Sequence, residues 1–336
     1  MKIAILGMGS IGQRHFQNLI FFRKEYGIDT IKAFEKNKNK IFQLKKKYKN
    51  YIITNNFKEA IKGADIVYIC SPTSHHIKSI KETLKFITPH FYIEKPLSSN
   101  IIGCKSILSK IKKTKKKVGM GYMLHNHPVI THTKKILEQK SLGKILSVRA
   151  ESGFYLPFWH PSEDYRDFYM SSIKEGGGAL LDTSHEINYL QYFFGVAEKV
   201  SGKVQTISDL DITSDDLTLA NIYFKSKVQA QVHLDLLQFD EERYFKIIAS
   251  KATLIGDLKN NTIKIYNLKK KKWKNKKFTF KFDTIYHIQL KNFMNLLQNK
   301  KANICDQKSA YHTMEIIEAI RKSSNKNSQI VKVNSK

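Results

Sequence analysis

The first twelve residues constrain this chain more than any other stretch. An apolar run at 2–6 leads into Gly7-Met8-Gly9-Ser10-Ile11-Gly12, and a helical pattern continues over 11–22. In a G-x-G-x-x-G turn between a strand and a helix, the first glycine makes the tight turn and the second lets a pyrophosphate approach the backbone. The third permits close helix–strand packing, while the helix N-terminus stabilises the phosphate charge. Glycines also make ordinary turns, so the motif draws its weight from the pattern of the next hundred residues. Short apolar runs at 30–34, 51–54, 65–70, 91–93 and 118–120 alternate with helical patterns at 38–48, 57–63, 74–87 and 98–113. That rhythm predicts βαβ units and a doubly wound parallel sheet that binds a dinucleotide.

Other residues fall at the carboxyl ends of these strands, where such sheets bind ligands. Glu35 ends the second strand; a carboxylate there accepts hydrogen bonds from the adenosine ribose and repels a 2′-phosphate, which favours NAD. Lys36 and Lys38 beside it keep NADP open, and a plain surface glutamate is the bland alternative. Ser71-Pro72-Thr73-Ser74-His75-His76 comes after the fourth strand, as a ligand edge, as a helix start capped by Ser71 or Thr73, or as both. Glu94-Lys95-Pro96 comes after the fifth strand, and a lysine between an acid and a proline is more confined than a surface lysine.

After Tyr122 the rhythm changes, which places a dinucleotide-binding domain at 1–122 and a second domain at 123–336. Length alone, 336 residues, already points to two domains. A helical stretch at 128–140 leads to a long strand pattern at 144–155 and an aromatic-rich segment at 157–170. A triple glycine, 176–178, then introduces an apolar helix over 179–194. Alternating strands from 196 to 282 fit one open antiparallel sheet, and helices at 284–299 and 307–322 close the pattern. In the 179–194 helix, Asp182 and His185 stand three apart and project from one face, the arrangement of a general base held by a carboxylate. A histidine on so apolar a helix also serves as an ordinary core residue.

Composition narrows the rest. Cys70, Cys104 and Cys305 are far apart, which excludes a disulfide framework, and no metal-ligand spacing occurs. No run of 18 apolar residues exists, and the N-terminal apolar stretch is broken by glycines, so neither a membrane span nor a signal peptide is expected and the location is cytoplasmic. The net charge is +29, yet only six of 58 basic residues are arginine. Phosphate and guanine readers favour the arginine fork. The lysine runs at 112–117 and 269–277 therefore read as solvated faces, which argues against a nucleic-acid partner.

Taken together, these residues resemble the Gfo/Idh/MocA family, the glucose–fructose oxidoreductase and inositol dehydrogenase group. The likeness runs through Gly7-x-Gly9-Ser10-Ile11-Gly12-x-x-His15, Ser71-Pro72-Thr73-x-x-His76, Glu94-Lys95-Pro96 and Gly176-Gly177-Gly178-x-x-x-Asp182. Trp159-His160-Pro161-x-x-Asp164-Tyr165-Arg166 and Ser184-His185-Glu186-Ile187 resemble a sub-group associated with sugar and surface-glycan metabolism. The resemblance implies a Rossmann domain and an α+β domain with a large, mainly antiparallel sheet whose outer face makes homodimers or homotetramers. It implies hydride transfer between NAD, or NADP, and a hydroxyl-bearing carbon of a sugar, sugar phosphate, nucleotide sugar or cyclitol. Lys95, His185 and Asp182 become the catalytic group. Gly7, Gly9, Ser10, Ile11, Gly12, Glu35, Ser71, Pro72, His76, Glu94 and Lys95 hold the cofactor. Tyr122, His125, Trp159, His160, Tyr165 and Arg166 are the candidate substrate contacts. The chain departs from the family in spacing Asp182 three rather than four residues before His185, and in carrying Asn188 where an acid is common. The alternatives are a reductase of another carbonyl or a tetrapyrrole-like substrate, and a non-catalytic NAD(P)-binding sensor.

Overall fold

The computed structural model describes residues 1–159 and 161–334. From the N-terminus it runs β1 (Lys2–Leu6), α1 (Ser10–Phe21), β2 (Thr30–Phe34), α2 (Lys38–Lys47), β3 (Ile52–Thr54), α3 (Phe57–Ile61) and β4 (Ile66–Ile69). It continues through α4 (His76–Thr83), β5 (His90–Ile93), α5 (Cys104–Lys113), β6 (Val118–Met120) and α6 (Pro128–Glu138). Next come β7 (Ile145–Gly153), α7 (Ala179–Asp182), α8 (His185–Phe194), β8 (Ala197–Gln205), β9 (Leu217–Phe224), β10 (Gln229–Asp235), β11 (Glu242–Ala249), β12 (Ala252–Asp257), β13 (Thr262–Asn267) and β14 (Lys272–Lys277). The chain closes with α9 (Asp283–Leu297), β15 (Cys305–Asp306), α10 (Gln307–Ser324) and β16 (Val331–Lys332).

Two compact units divide these elements: Met1–Met123 with Phe282–Gln307, and Leu124–Lys281 with the chain from Lys308 onward. The first unit holds a seven-stranded sheet ordered β15-β6-β5-β4-β1-β2-β3. Strands β1 to β6 are parallel, and β15 is an antiparallel edge on β6. Buried on both faces, β4 reads Ile66-Val67-Tyr68-Ile69 without a charged residue, as a central parallel strand does. The order reverses between β1 and β4, and there the glycine loop lies.

The boundary read from sequence after Tyr122 assigned residues 282–307 to the second domain, and the structure differs. Helix α9 returns to the first unit, where Phe293 meets Tyr68 and Tyr92 edge-on at 5.8 and 5.2 Å between ring centroids. The apolar stripe Leu290-Phe293-Met294 is buried in the core beneath β1 and β4, and burial of that stripe decides where the helix belongs.

The second unit is built on a nine-stranded sheet, β14-β13-β12-β11-β7-β10-β9-β8-β16, antiparallel throughout except for the β7–β10 pair. Its strands alternate as a half-buried sheet should. Val148, Ala150, Val232, Leu234, Phe245 and Ile247 are buried, whereas Leu219 and Ile248 are each 41% exposed. The edge strand β14 is exposed along its whole length, and its sequence is Lys-Trp-Lys-Asn-Lys-Lys. A lysine-rich edge resists pairing with another chain, which gives the 269–277 lysines a structural use.

One expected helix is interrupted. The pattern over 179–194 predicts a single helix, but Thr183 and Ser184 separate α7 from α8. The Thr183 hydroxyl hydrogen-bonds back to the carbonyl of Ala179, and Asp215 fixes the start of α7. Its Oδ2 accepts from the Leu180 amide (2.8 Å) and its carbonyl accepts from the Ala179 amide (2.8 Å). Asp182 and His185 therefore sit on either side of a break, and the helical-face argument for their pairing does not apply.

Candidate active site

In the first unit, the glycine loop is shaped by close backbone approaches. Gly7 adopts φ +99°, and a Cβ there would fall 2.6 Å from the carbonyl oxygen of Cys70, at the end of β4. Gly12 packs even closer: a Cβ would lie 2.0 Å from the Gly7 carbonyl oxygen. Gly9 is different, with nothing within 4 Å of its Cβ position. It is the N-cap of α1, no side chain caps the helix, and no acidic residue stands in its first turn, so the amides around Ser10 and Ile11 are left to meet an anion. Glu35 reaches this loop. Its Oε2 accepts from the Met8 amide (3.2 Å) and its Oε1 from the Lys36 (2.8 Å) and Asn37 (3.1 Å) amides. The Lys40 ammonium stands 3.8 Å from Oε2. An open second glycine, an uncapped helix start and a fixed carboxylate at the end of β2 fit a dinucleotide.

Ser71 and Pro72 come soon after β4, and the Ser71 hydroxyl is buried without a protein partner. His76, 1% exposed, turns inward: Nδ1 lies 3.0 Å from the Pro96 carbonyl and Nε2 2.9 Å from the Ser71 carbonyl. Burial lowers its pKa, with the nearby Glu94 and these carbonyls opposing. Glu94 is likewise internal, 7% exposed, with Oε1 2.6 Å from His15 Nε2 and Oε2 accepting from the Lys95 amide at 3.2 Å. Both side chains, read from sequence as cofactor contacts, thus grip the turn that carries Lys95. Tyr122 is almost fully buried after β6.

In the second unit, His185 begins α8 and is 6% exposed. Asp182 accepts a hydrogen bond from the Tyr169 hydroxyl, a partner no sequence signal marked. Glu186, fully buried, receives Arg243 from β11 bidentately, Nε to Oε1 at 2.8 Å and Nη2 to Oε2 at 3.0 Å. Arg243 was also missed, because 57 residues separate it from Glu186 and a lone arginine in a strand has no local signature. Among the substrate candidates, Arg166 is committed to Asp164 and stands 3.8 Å from Asp211. It holds the Asp164 carboxyl down at about 2. The Tyr165 hydroxyl accepts from the Asp211 amide at 3.1 Å, and Trp159, 46% exposed, packs against Phe154 at 4.6 Å. His160 lies outside the described residues.

His125 is buried and stacks on Tyr192 at 4.4 Å, with Asn188 beside it. His127 caps α6: its Nδ1 accepts from the Val129 amide (3.2 Å) and its Nε2 faces Asn261 Oδ1 (3.1 Å), which fixes the neutral Nε2–H form. Burial pushes both imidazoles down to about 4. Unfolded histidine titrates near 6.5. Between that value and about 4 the unfolded chain binds more protons, so stability falls as pH drops through this window. Two such groups give a slope of about 2–3 kcal/mol per pH unit near pH 5. Urea denaturation at pH 7, 6 and 5 measures it; stability unchanged from pH 6.5 to 5 would show that these rings are not held neutral.

A switch-point glycine loop, a carboxylate at the end of β2 and a lysine at the end of β5 define an NAD-binding oxidoreductase architecture. Residues 1–122 match the oxidoreductase family with an NAD-binding Rossmann fold, and residues 130–255 match the GFO/IDH/MocA C-terminal domain. The chain belongs to the Gfo/Idh/MocA family. Among curated relatives, it is 26% identical over 231 residues to the uncharacterized oxidoreductase YrbE of Bacillus subtilis, covering 65% of this chain and 63% of that one. It is 22% identical over 326 residues to scyllo-inositol 2-dehydrogenase (NAD(+)) of the same species, covering 94% and 92%. Among solved structures, levoglucosan dehydrogenase in complex with NADH and levoglucosan superposes with a TM-score of 0.88 at 15% identity, covering all of both chains. Among the described residues, no helix is long and apolar enough to cross a membrane.

Proposed function

We propose that this protein is an NAD-dependent dehydrogenase of an uncharged sugar or cyclitol, oxidising a ring hydroxyl or reducing the matching ketone. The observation that carries this reading is the Lys95 turn, held at the carboxyl edge of the same sheet as the glycine loop. Bound NAD supplies the hydride acceptor. Lys95 places its ammonium against the substrate hydroxyl and stabilises the negative charge that grows on that oxygen. His185 takes the hydroxyl proton in oxidation and returns it in reduction, as an imidazole suits. Asp182, tied to Tyr169, orients the substrate, with Tyr122, His125, Trp159, His160 and Tyr165 as further contacts. Arg166 and Arg243 are both engaged by carboxylates, which leaves neither as a ready anchor for a phosphate and favours an uncharged ring. The named activities of the inositol and levoglucosan dehydrogenases support the same class. The protein works in the cytoplasm as a homodimer or homotetramer through the open sheet face that bears Leu219 and Ile248.

The test begins with nicotinamide fluorescence titrations of wild type and Glu35→Ala. NADH is expected to bind more tightly than NADPH, and the substitution to weaken NADH by about tenfold, or ~1.4 kcal/mol. NADPH preference that survives the substitution would assign specificity to the lysines at 36, 38 and 40 and overturn the NAD reading. Turnover is then screened with inositols, anhydrosugars, sugar phosphates and nucleotide sugars. Activity confined to the anionic compounds would reject an uncharged substrate.

A further inference from the structure

We infer that the free edge of the second unit's sheet is a docking site for an acidic, extended segment of a partner protein, which adds to β14 as a further strand. Among the described residues β14 pairs only with β13, and it ends the nine-stranded sheet on that side. In an antiparallel pair, opposite residues alternate between those that bond across the ladder and those whose backbone groups point away from it. Phe278, one residue past β14, donates its amide to the carbonyl of the opposite residue, Asn261, at 2.8 Å. Counted in twos from there, Lys276, Lys274 and Lys272 bond across to Ile263, Ile265 and Asn267. The amides and carbonyls of Trp273, Asn275 and Lys277 therefore face the open edge, about 7 Å from one to the next.

Charge selects what pairs there. Residues 269–277 hold seven lysines and no acid, all of them exposed, and among the described residues none of the seven is ion-paired. Lys272, Lys274 and Lys276 share one face of the strand. Burial lowers the pKa of His132 on α6, and the ammoniums of Lys276, Lys135 and Lys274 lower it further, with no acid opposing them. The other face carries Trp273, 48% exposed, beside Tyr266 at 5.4 Å between ring centroids. A strand with acids at alternate positions sets a carboxylate opposite each lysine and its apolar positions against Trp273. A second copy of this edge is repelled, because it brings lysines against lysines. Nucleic acid offers phosphates but no backbone ladder for Trp273, Asn275 and Lys277, so a peptide uses more of what the edge presents.

The probe is a dye-labelled, alternating Glu-Val peptide of about eight residues, titrated into the whole protein and followed by fluorescence anisotropy at about 50 mM salt. Saturable binding is expected, with slowed amide hydrogen exchange across residues 272–277. Lys274→Glu/Lys276→Glu should weaken it at least about 30-fold. Asn275→Pro separates strand addition from bare charge attraction. It keeps every lysine and removes an N–H that points outward, a place where an edge strand accepts proline. Peptide affinity should fall at least about tenfold in Asn275→Pro, while affinity for an oligothymidylate stays within about twofold. A peptide N-methylated at alternate residues makes the same test on wild-type protein, and it too should bind at least about tenfold more weakly. Peptide affinity unchanged by both the proline and the N-methyl groups would overturn strand addition. Tighter binding of the oligothymidylate than of the peptide would assign the edge to nucleic acid, and no saturable peptide binding would remove the site.

Discussion

Replacing Lys95 by methionine is expected to lower turnover by about 10²–10³-fold while NADH binds within about threefold of wild type. The ammonium acts by differential stabilisation. Methionine keeps most of the length and the apolar stem of lysine but removes the ammonium, so the loss falls on the state in which the substrate oxygen carries negative charge. The lysine's backbone is held by Glu94 and, through Pro96, by His76, and none of those bonds uses the side chain that the substitution changes. Steady-state kinetics on the best substrate, together with a fluorescence titration, decide the matter. Turnover retained in Lys95→Met would remove the lysine from the chemistry and shift attention to His185.

The second large effect separates two glycines only three residues apart. Gly12→Ala should cost more than about 3 kcal/mol of stability and abolish NADH binding, since the new methyl would lie 2.0 Å from the Gly7 carbonyl oxygen. Gly7 cannot retreat, because its own Cα side is pressed against the Cys70 carbonyl. Gly9→Ala meets no atom within 4 Å, so its stability should stay within about 1 kcal/mol of wild type. Its methyl nevertheless projects where the second glycine lets a pyrophosphate approach, and NADH affinity should fall at least about tenfold. Urea denaturation and NADH titration of both variants provide the comparison. Undiminished NADH binding in Gly9→Ala would mean that the dinucleotide does not cross the backbone there.

Both predictions start from motifs visible in sequence, and the contrast shows how far such motifs reach. The glycine pattern announced a phosphate loop, yet only the packing around each glycine distinguishes the two that shape the loop from the one that faces open space. Glu94 and His76 stood out in the sequence beside Lys95 and Ser71, while the inward orientation of their side chains did not. The Asp182–His185 spacing implied one helical face, and the backbone tightens to i→i−3 bonds at Ser184 and Glu186, which interrupts the helix between them. Arg166 was legible as a charge, but its engagement with Asp164 and Asp211 changes what it can attract.

The alternation of strands and helices, the dinucleotide turn, the change of architecture after Tyr122 and the family were all written in the sequence. They arise from periodicities of two and 3.6 residues and from short motifs whose members lie within a dozen positions of one another. Tertiary structure alone decided that α9 and β15 return to the first sheet, that Arg243 meets Glu186, and that His15 meets Glu94. Partners 57 and 79 residues apart share no local pattern, so burial and the need to pair charges removed from water settle which of them come together.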